Sequence, residues 1–151
     1  MIKVWLDLED TIITNWDDGI LLNPNKIKNW LDKNHIEDID IWSFAIWNQQ
    51  DKDFFVSSNM KTTIENALKR RINDFLSVED MQSLIFDYER ITYFSREEFM
   101  QLNSKKWSFI KYCLGYQMGH TCYLIDDAVP NQTIIDHNTN TTIHLVNIIS
   151  I

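Results

Sequence analysis

Two short apolar runs at opposite ends of the chain, each stopping at carboxylates, constrain the fold more than any other feature. The first, Ile2 to Leu8, closes on Asp7 and Glu9, and the second, Thr121 to Ile125, closes on Asp126 and Asp127. Near-continuous apolar runs of this length read as strands covered on both faces, which is the pattern of a parallel sheet. A third run, Ile39 to Trp47, and a last one, Thr142 to Ile149, read the same way.

Helical segments are expected between these strands. Asn23 offers a side-chain cap and Pro24 a first helical position, with Ile27, Trp30 and Leu31 on one face over 24–34. Asp51 to Val56 opens another helix. A stronger one, capped by Thr62 or Thr63, carries Ile64, Ala67, Leu68, Ile72 and Phe75 along one face. Ser77-Val-Glu-Asp80 resembles a capping box ahead of Met81, Leu84 and Ile85. A short helix is expected from Ser95 to Leu102. Ser104 caps a further one over Lys105 to Leu114, stopped by Gly115. Residues 130–141 read as a polar connection. Strands alternating with helices predict a single α/β domain over 1–151, a three-layer doubly wound parallel sheet whose ligands sit at the carboxyl ends of the strands.

The 151 residues suffice for one core, and a 44% hydrophobic, 24% charged composition is ordinary for a globular protein. A net charge of −8 argues against duplex-DNA or anionic-membrane binding, which use basic surfaces to displace counterions. The Lys69-Arg70-Arg71 cluster reads as the solvated face of a helix. Cys113 and Cys122 have no Cys-x-x-Cys spacing, and the four histidines form no ligand pattern. With no segment that reads as a signal peptide or membrane span, a reduced, cytoplasmic protein is expected.

The run Asp7-Leu8-Glu9-Asp10-Thr11 places Asp7 and Glu9 on one face of extended backbone. A carboxylate exposed at a strand end can attack a phosphoryl group once a metal screens the charge, and a second carboxyl can donate and recover the proton. Acids ending a strand also occur with no chemistry at all. Adjacent Asp126 and Asp127 are costly to hold beside further carboxylates unless a cation is present.

Together these two motifs resemble the haloacid-dehalogenase-like superfamily, whose first motif is a hydrophobic strand followed by Asp-x-Asp-Gly-Thr and whose last is a strand followed by Asp-Asp. Residues 11–22, with an Asp18-Gly19 hairpin signal, are similar to the squiggle and flap behind the family's first strand. The resemblance implies a Rossmannoid fold without a large cap, since little chain lies between the flap and Pro24. It implies that Asp7 is the nucleophile and, with Asp126, a principal Mg²⁺ ligand. Asp127 would bind the metal directly or through water, and Glu9 would be the acid/base and lend its main-chain carbonyl to the metal. A lysine should neutralise the phosphoryl oxygens; Lys106 fits best because Phe109 and Ile110 follow at inward helical spacing, with Lys105 in reserve. The residue expected to bind phosphate at the end of the second strand is Asn48, with Ser43 set earlier, inside the strand. Trp16 in the flap is a ring for base stacking or for packing, and Asn131 and Asp136 are subsidiary candidates near the last motif.

The resemblance thus implies a Mg²⁺-dependent phosphohydrolase acting on a phosphorylated small molecule, nucleotide or phosphorylated macromolecular end. Two departures, Glu9 for the family's Asp and Asp10 for its Gly, motivate the alternative of a binding protein that keeps the metal site with impaired turnover. A receiver-like α/β domain is a third reading; it lacks an internal phospho-acceptor strand.

Overall fold

A computed structural model describes residues 1–92 and 105–151. Along the chain these form β1 (Ile2–Leu6), α1 (Pro24–Lys33), β2 (Asp38–Trp42), α2 (Gln49–Ser57), α3 (Asn59–Leu68), β3 (Arg71–Leu76), α4 (Val78–Thr92), α5 (Lys105–Tyr116), β4 (Thr121–Asp126), β5 (Gln132–Asp136) and β6 (Thr141–Asn147), followed by a 3₁₀ turn at Ile148–Ser150. The short helix expected over Ser95–Leu102 and the cap at Ser104 lie outside the described residues.

The six strands form one sheet in the order β3-β2-β1-β4-β6-β5, parallel throughout except for the β5–β6 pair. The chain builds outward from β1 through β2 to β3, then returns to the other side of β1 with β4. That reversal puts a topological switch point between β1 and β4, where strand ends leave a crevice. Leu6 pairs with Ile125, so the next residues, Asp7 and Asp126, stand side by side at the strand ends.

Alternation along each strand divides the core in two. Val4, Leu6 and Ile39 pack with Ile27 and Leu31 of α1 and Ile64 and Leu68 of α3. Trp5, Trp42, Cys122 and Leu124 point the other way, against Met81 and Ile85 of α4 and Phe109, Ile110 and Cys113 of α5. Helices therefore cover both faces, and burial of both strand faces explains the near-continuous apolar runs. Trp5 is fixed by edge contacts with Phe109 and Tyr112, at ring distances of 5.3 and 5.8 Å. Among the described residues no helix is long and apolar enough to cross a membrane.

Several expected elements take another form. Ile72 and Phe75 belong to β3, because α3 ends at Leu68 and Lys69 turns the chain with φ 53°. The basic cluster is consequently a turn: Arg70 Nε donates to Ile36 O at 2.6 Å, and Arg71 opens the strand. Helix α3 is capped by Ser58, whose hydroxyl accepts from Met60 N, and neither Thr62 nor Thr63 is the cap. Asn23 makes no side-chain cap; its amide donates to Thr11 O at 3.0 Å. Helix α5 runs through Gly115 to Tyr116. The polar stretch contains β5, an edge strand with mostly exposed residues. The Ser77–Asp80 box forms, with Asp80 N donating to Ser77 Oγ at 3.0 Å and Ser77 N to Asp80 Oδ2 at 3.1 Å.

Candidate active site

Asp7 follows β1 directly and stays in the ladder, its N–H donating to Ile125 O at 3.0 Å. The chain then coils tightly. Leu8 O accepts from the N–H groups of Thr11, Ile12 and Ile13 at 3.0–3.2 Å, and Asp10 sits in the left-handed region with φ 59°. That coil swings Thr11 back under the strand end, where Thr11 Oγ1 donates to Asp7 Oδ2 at 3.0 Å. Residues 11–22 close through single bridges, Glu9 with Ile13 and Ile13 with Leu21. Gly19 carries φ 59° while its N–H reaches Asn15 O, a wider turn than the type I′ hairpin its Asp-Gly pair predicts.

Asp126, at the end of β4, is fully buried, and Asp7 is 5% exposed. Asp126 Oδ1 accepts from Ala128 N at 2.7 Å, which bends the chain outward and turns Asp127 toward the same crevice. Asn147 steadies this loop by donating to Asp127 O and Val129 O. Asp7, Asp126 and Asp127 each present one carboxylate oxygen, all within 4.8 Å of one another.

Among the described residues Lys105 is the cation paired with Asp7 and Asp126. The first residue of α5, it hydrogen-bonds Asp7 Oδ1, and its Nζ lies 2.7 Å from Asp126 Oδ2. Lys106, the expected residue, lies on the rim of the cavity with its Nζ 5.1 Å from the Trp107 ring centre. The reason is helical phase: Lys105, Ser108, Phe109 and Tyr112 share the inward stripe, but α5 is buried around most of its circumference, so either lysine satisfied the spacing rule.

Ser43, and not Asn48, stands at the end of the second strand. Strand β2 ends at Trp42, so Ser43 is the first residue beyond the strand; it is buried and lines the cavity. Asn48 is the N-cap of α2, its Oδ1 accepting from Asp51 N at 3.0 Å, and it does not line the cavity. Glu9 lines the cavity but stands outside the three-carboxylate cluster, with Oε2 accepting from Trp16 N at 2.8 Å. The Trp16 ring packs on Phe54 and Phe55 of α2. Asn131 Oδ1 accepts from Asn147 N, and Asp136 Oδ2 from Thr139 N, so both fasten backbone. Thr11, Phe44 and Pro130 carry no expected role in the sequence reading. Only Thr11, four residues after Asp7, left a readable trace, through its place in the motif.

The charges do not balance. Among the described residues Lys105 pairs with Asp7 and Asp126 but no ion pair reaches Asp127, and burial pushes the carboxyls of all three acids above their ordinary range. Lys105 pulls Asp7 and Asp126 back only in part, and Asp7 in turn raises Asp126. Asp126 Oδ2, although paired in charge with Lys105, is buried and accepts no aligned hydrogen bond. Hard oxygen donors, an excess of negative charge and an oxygen with spare capacity fit a hard divalent cation. Around them opens a cavity of about 550 Å³ lined also by Ser43, Phe44, Ala45, Ala128 and Pro130. Compared with known proteins, the chain matches no family model, no curated protein and no solved structure.

Proposed function

We propose that the protein is a Mg²⁺-dependent phosphohydrolase of the haloacid-dehalogenase-like type that cleaves a phosphate monoester through an aspartyl-phosphate on Asp7. The observation that carries this reading is the convergence of Asp7, Asp126 and Asp127 at the switch point of the sheet, with Lys105 paired to the first two.

Asp7 is held for attack from two directions, by Thr11 on Oδ2 and Lys105 on Oδ1. One oxygen attacks phosphorus, the bond to the ester oxygen breaks, and Glu9 gives its proton to the departing alkoxide. Trp16 N fixes Glu9 Oε2, which leaves Oε1 to carry that proton. Water then attacks the acyl phosphate, its proton returns to Glu9, and phosphate leaves with Asp7 restored. Ser43 Oγ supplies a hydrogen bond to the phosphoryl oxygens and Lys105 neutralises their charge. Asp7, Asp126 and Asp127 would hold the divalent cation, which would supply the screening that lets a carboxylate approach an anionic phosphate.

Residues 49–92 are taken up by α2, α3, β3 and α4, which supports a site without a large cap. The acidic balance favours a small phosphorylated molecule, and the free, buried thiols of Cys113 and Cys122 support a reducing, cytoplasmic setting. The test compares wild type with Asp7→Asn on a panel of phosphate monoesters, with Mg²⁺ and with EDTA. Mg²⁺-dependent release of phosphate that disappears in the variant is expected; equal activity in all arms rejects the mechanism.

One observation favours a second reading, a phosphate-binding protein with impaired turnover: Asp10 adds an exposed acid to the cavity wall, where it repels an incoming phosphate. That reading expects Mg²⁺ binding with no phosphate release on any ester.

A further inference from the structure

The cavity is far larger than a phosphoryl group requires, and its size falls in the range that encloses a whole small-molecule ligand. Its lining joins the acids, lysines and serine of the site to the apolar Phe44, Ala45, Ala128 and Pro130. Among the described residues lining it, Phe44 is the only aromatic one. Phe44 follows Ser43 directly, so the residue placed at the phosphoryl group and the ring are neighbours in the chain. The ring is 43% exposed, yet it is held by an edge contact with the buried Trp42 at 5.4 Å and 85°. Lys105 Nζ lies 5.5 Å from the centre of the Phe44 ring and 5.8 Å from that of Trp42, and that same ammonium bonds Asp7. An exposed aromatic side chain in the same cavity as Asp7, beside the ammonium that bonds Asp7, stands within reach of the leaving group of an ester on Asp7.

We infer that Phe44 is a specificity-determining residue that stacks on an aromatic leaving group, so that the substrates are phosphate monoesters of ring-bearing alcohols, nucleoside monophosphates and aryl phosphates among them. This rests on the phosphohydrolase reading. Trp16 does not serve the purpose, because its ring is packed on Phe54 and Phe55. A phenyl side chain has few rotamers to lose on ordering the contact, and a planar ring offers a stacking face whatever its substituents.

The test measures kcat/KM for adenosine 5′-monophosphate, phenyl phosphate and glycerol phosphate in wild type, Phe44→Ala and Phe44→Trp. Comparing each ester with itself across variants cancels intrinsic leaving-group reactivity. In Phe44→Ala the preference for the aromatic esters over glycerol phosphate falls about tenfold, the scale of one lost stacking contact, and Phe44→Trp restores it. A loss on adenosine monophosphate alone assigns the ring to a nucleobase, and a loss on both aromatic esters to aryl groups in general. Turnover with an unchanged preference, or an equal loss on all three esters, overturns the inference and leaves the phosphohydrolase reading standing. No turnover of any ester by wild type overturns both.

Discussion

Lys105 Nζ lies 2.7 Å from Asp126 Oδ2 in a pair almost sealed from solvent, while the same ammonium hydrogen-bonds Asp7. Replacing Lys105 with Met leaves buried carboxylates without their cation, a change that typically costs about 3–5 kcal/mol. Urea unfolding in EDTA should show a loss of that order for Lys105→Met, and less than about 0.5 kcal/mol for Lys106→Met on the rim. Added Mg²⁺ should return part of the lost stability. Equal losses in the two variants would reassign the lysine.

The raised carboxyls of Asp7, Asp126 and Asp127 set the sign of a pH effect. A folded-state value above the unfolded one means that the folded chain holds more protons in the window between them. The resulting stability is complete below about pH 4, where unfolded carboxyls protonate, and is lost as pH rises through the folded values. A cation binds the deprotonated form, so its stabilising effect grows across the same window. The rise in Tm produced by Mg²⁺ over EDTA should therefore be larger at pH 7.5 than at pH 5. A rise independent of pH would argue against these three groups as ligands.

Ser43 and Asn48 separate function from stability. Ser43→Ala should lower kcat/KM about tenfold or more, as expected when a hydrogen bond to the phosphoryl oxygens is lost, with little change in fold. Asn48→Ala removes the N-cap of α2 and should cost about 1 kcal/mol of unfolding free energy, with a much smaller effect on kcat/KM. Denaturant titration alongside steady-state kinetics distinguishes them, and the reverse pattern would return the phosphate-binding role to Asn48.

Asp10 adopts φ 59° with its side chain exposed, a conformation in which glycine has no steric cost. Asp10→Gly should leave the protein as stable as wild type or up to about 1 kcal/mol more stable. It also removes a negative charge from the cavity wall, so KM for a phosphate monoester should fall. A higher KM would show that Asp10 helps to bind the substrate.

Much of the scaffold was legible because it depends on local chemistry. Burial of both sheet faces wrote itself into the apolar runs around Val4, Ile41, Leu124 and Leu145, and the Ser77–Asp80 box announced the start of α4. The errors arose where the local signal was degenerate. Ile72 and Phe75 stand three apart, which suits a helix, but Lys69 turns the chain in the left-handed region without the glycine that normally marks such a turn. Strand β5 was hidden for a different reason: as an exposed edge it needs pairing with Ile143 and Leu145 of β6 more than it needs apolar residues of its own.

At the site, the sequence by itself determined which acids end which strands, since a strand's limits and its terminal residues are adjacent in the chain. Tertiary structure decided everything that depended on distance across the chain: that β1 and β4 are neighbours, that Lys105 rather than Lys106 faces Asp7 and Asp126, and that Ser43 rather than Asn48 faces the cavity. The physical reason is angular. One residue of slip along a helix rotates a side chain by about 100°, and one residue of slip at a strand end reverses its direction. The packing of α5 and the stopping point of β2 fix those rotations, and apolar spacing within either segment does not.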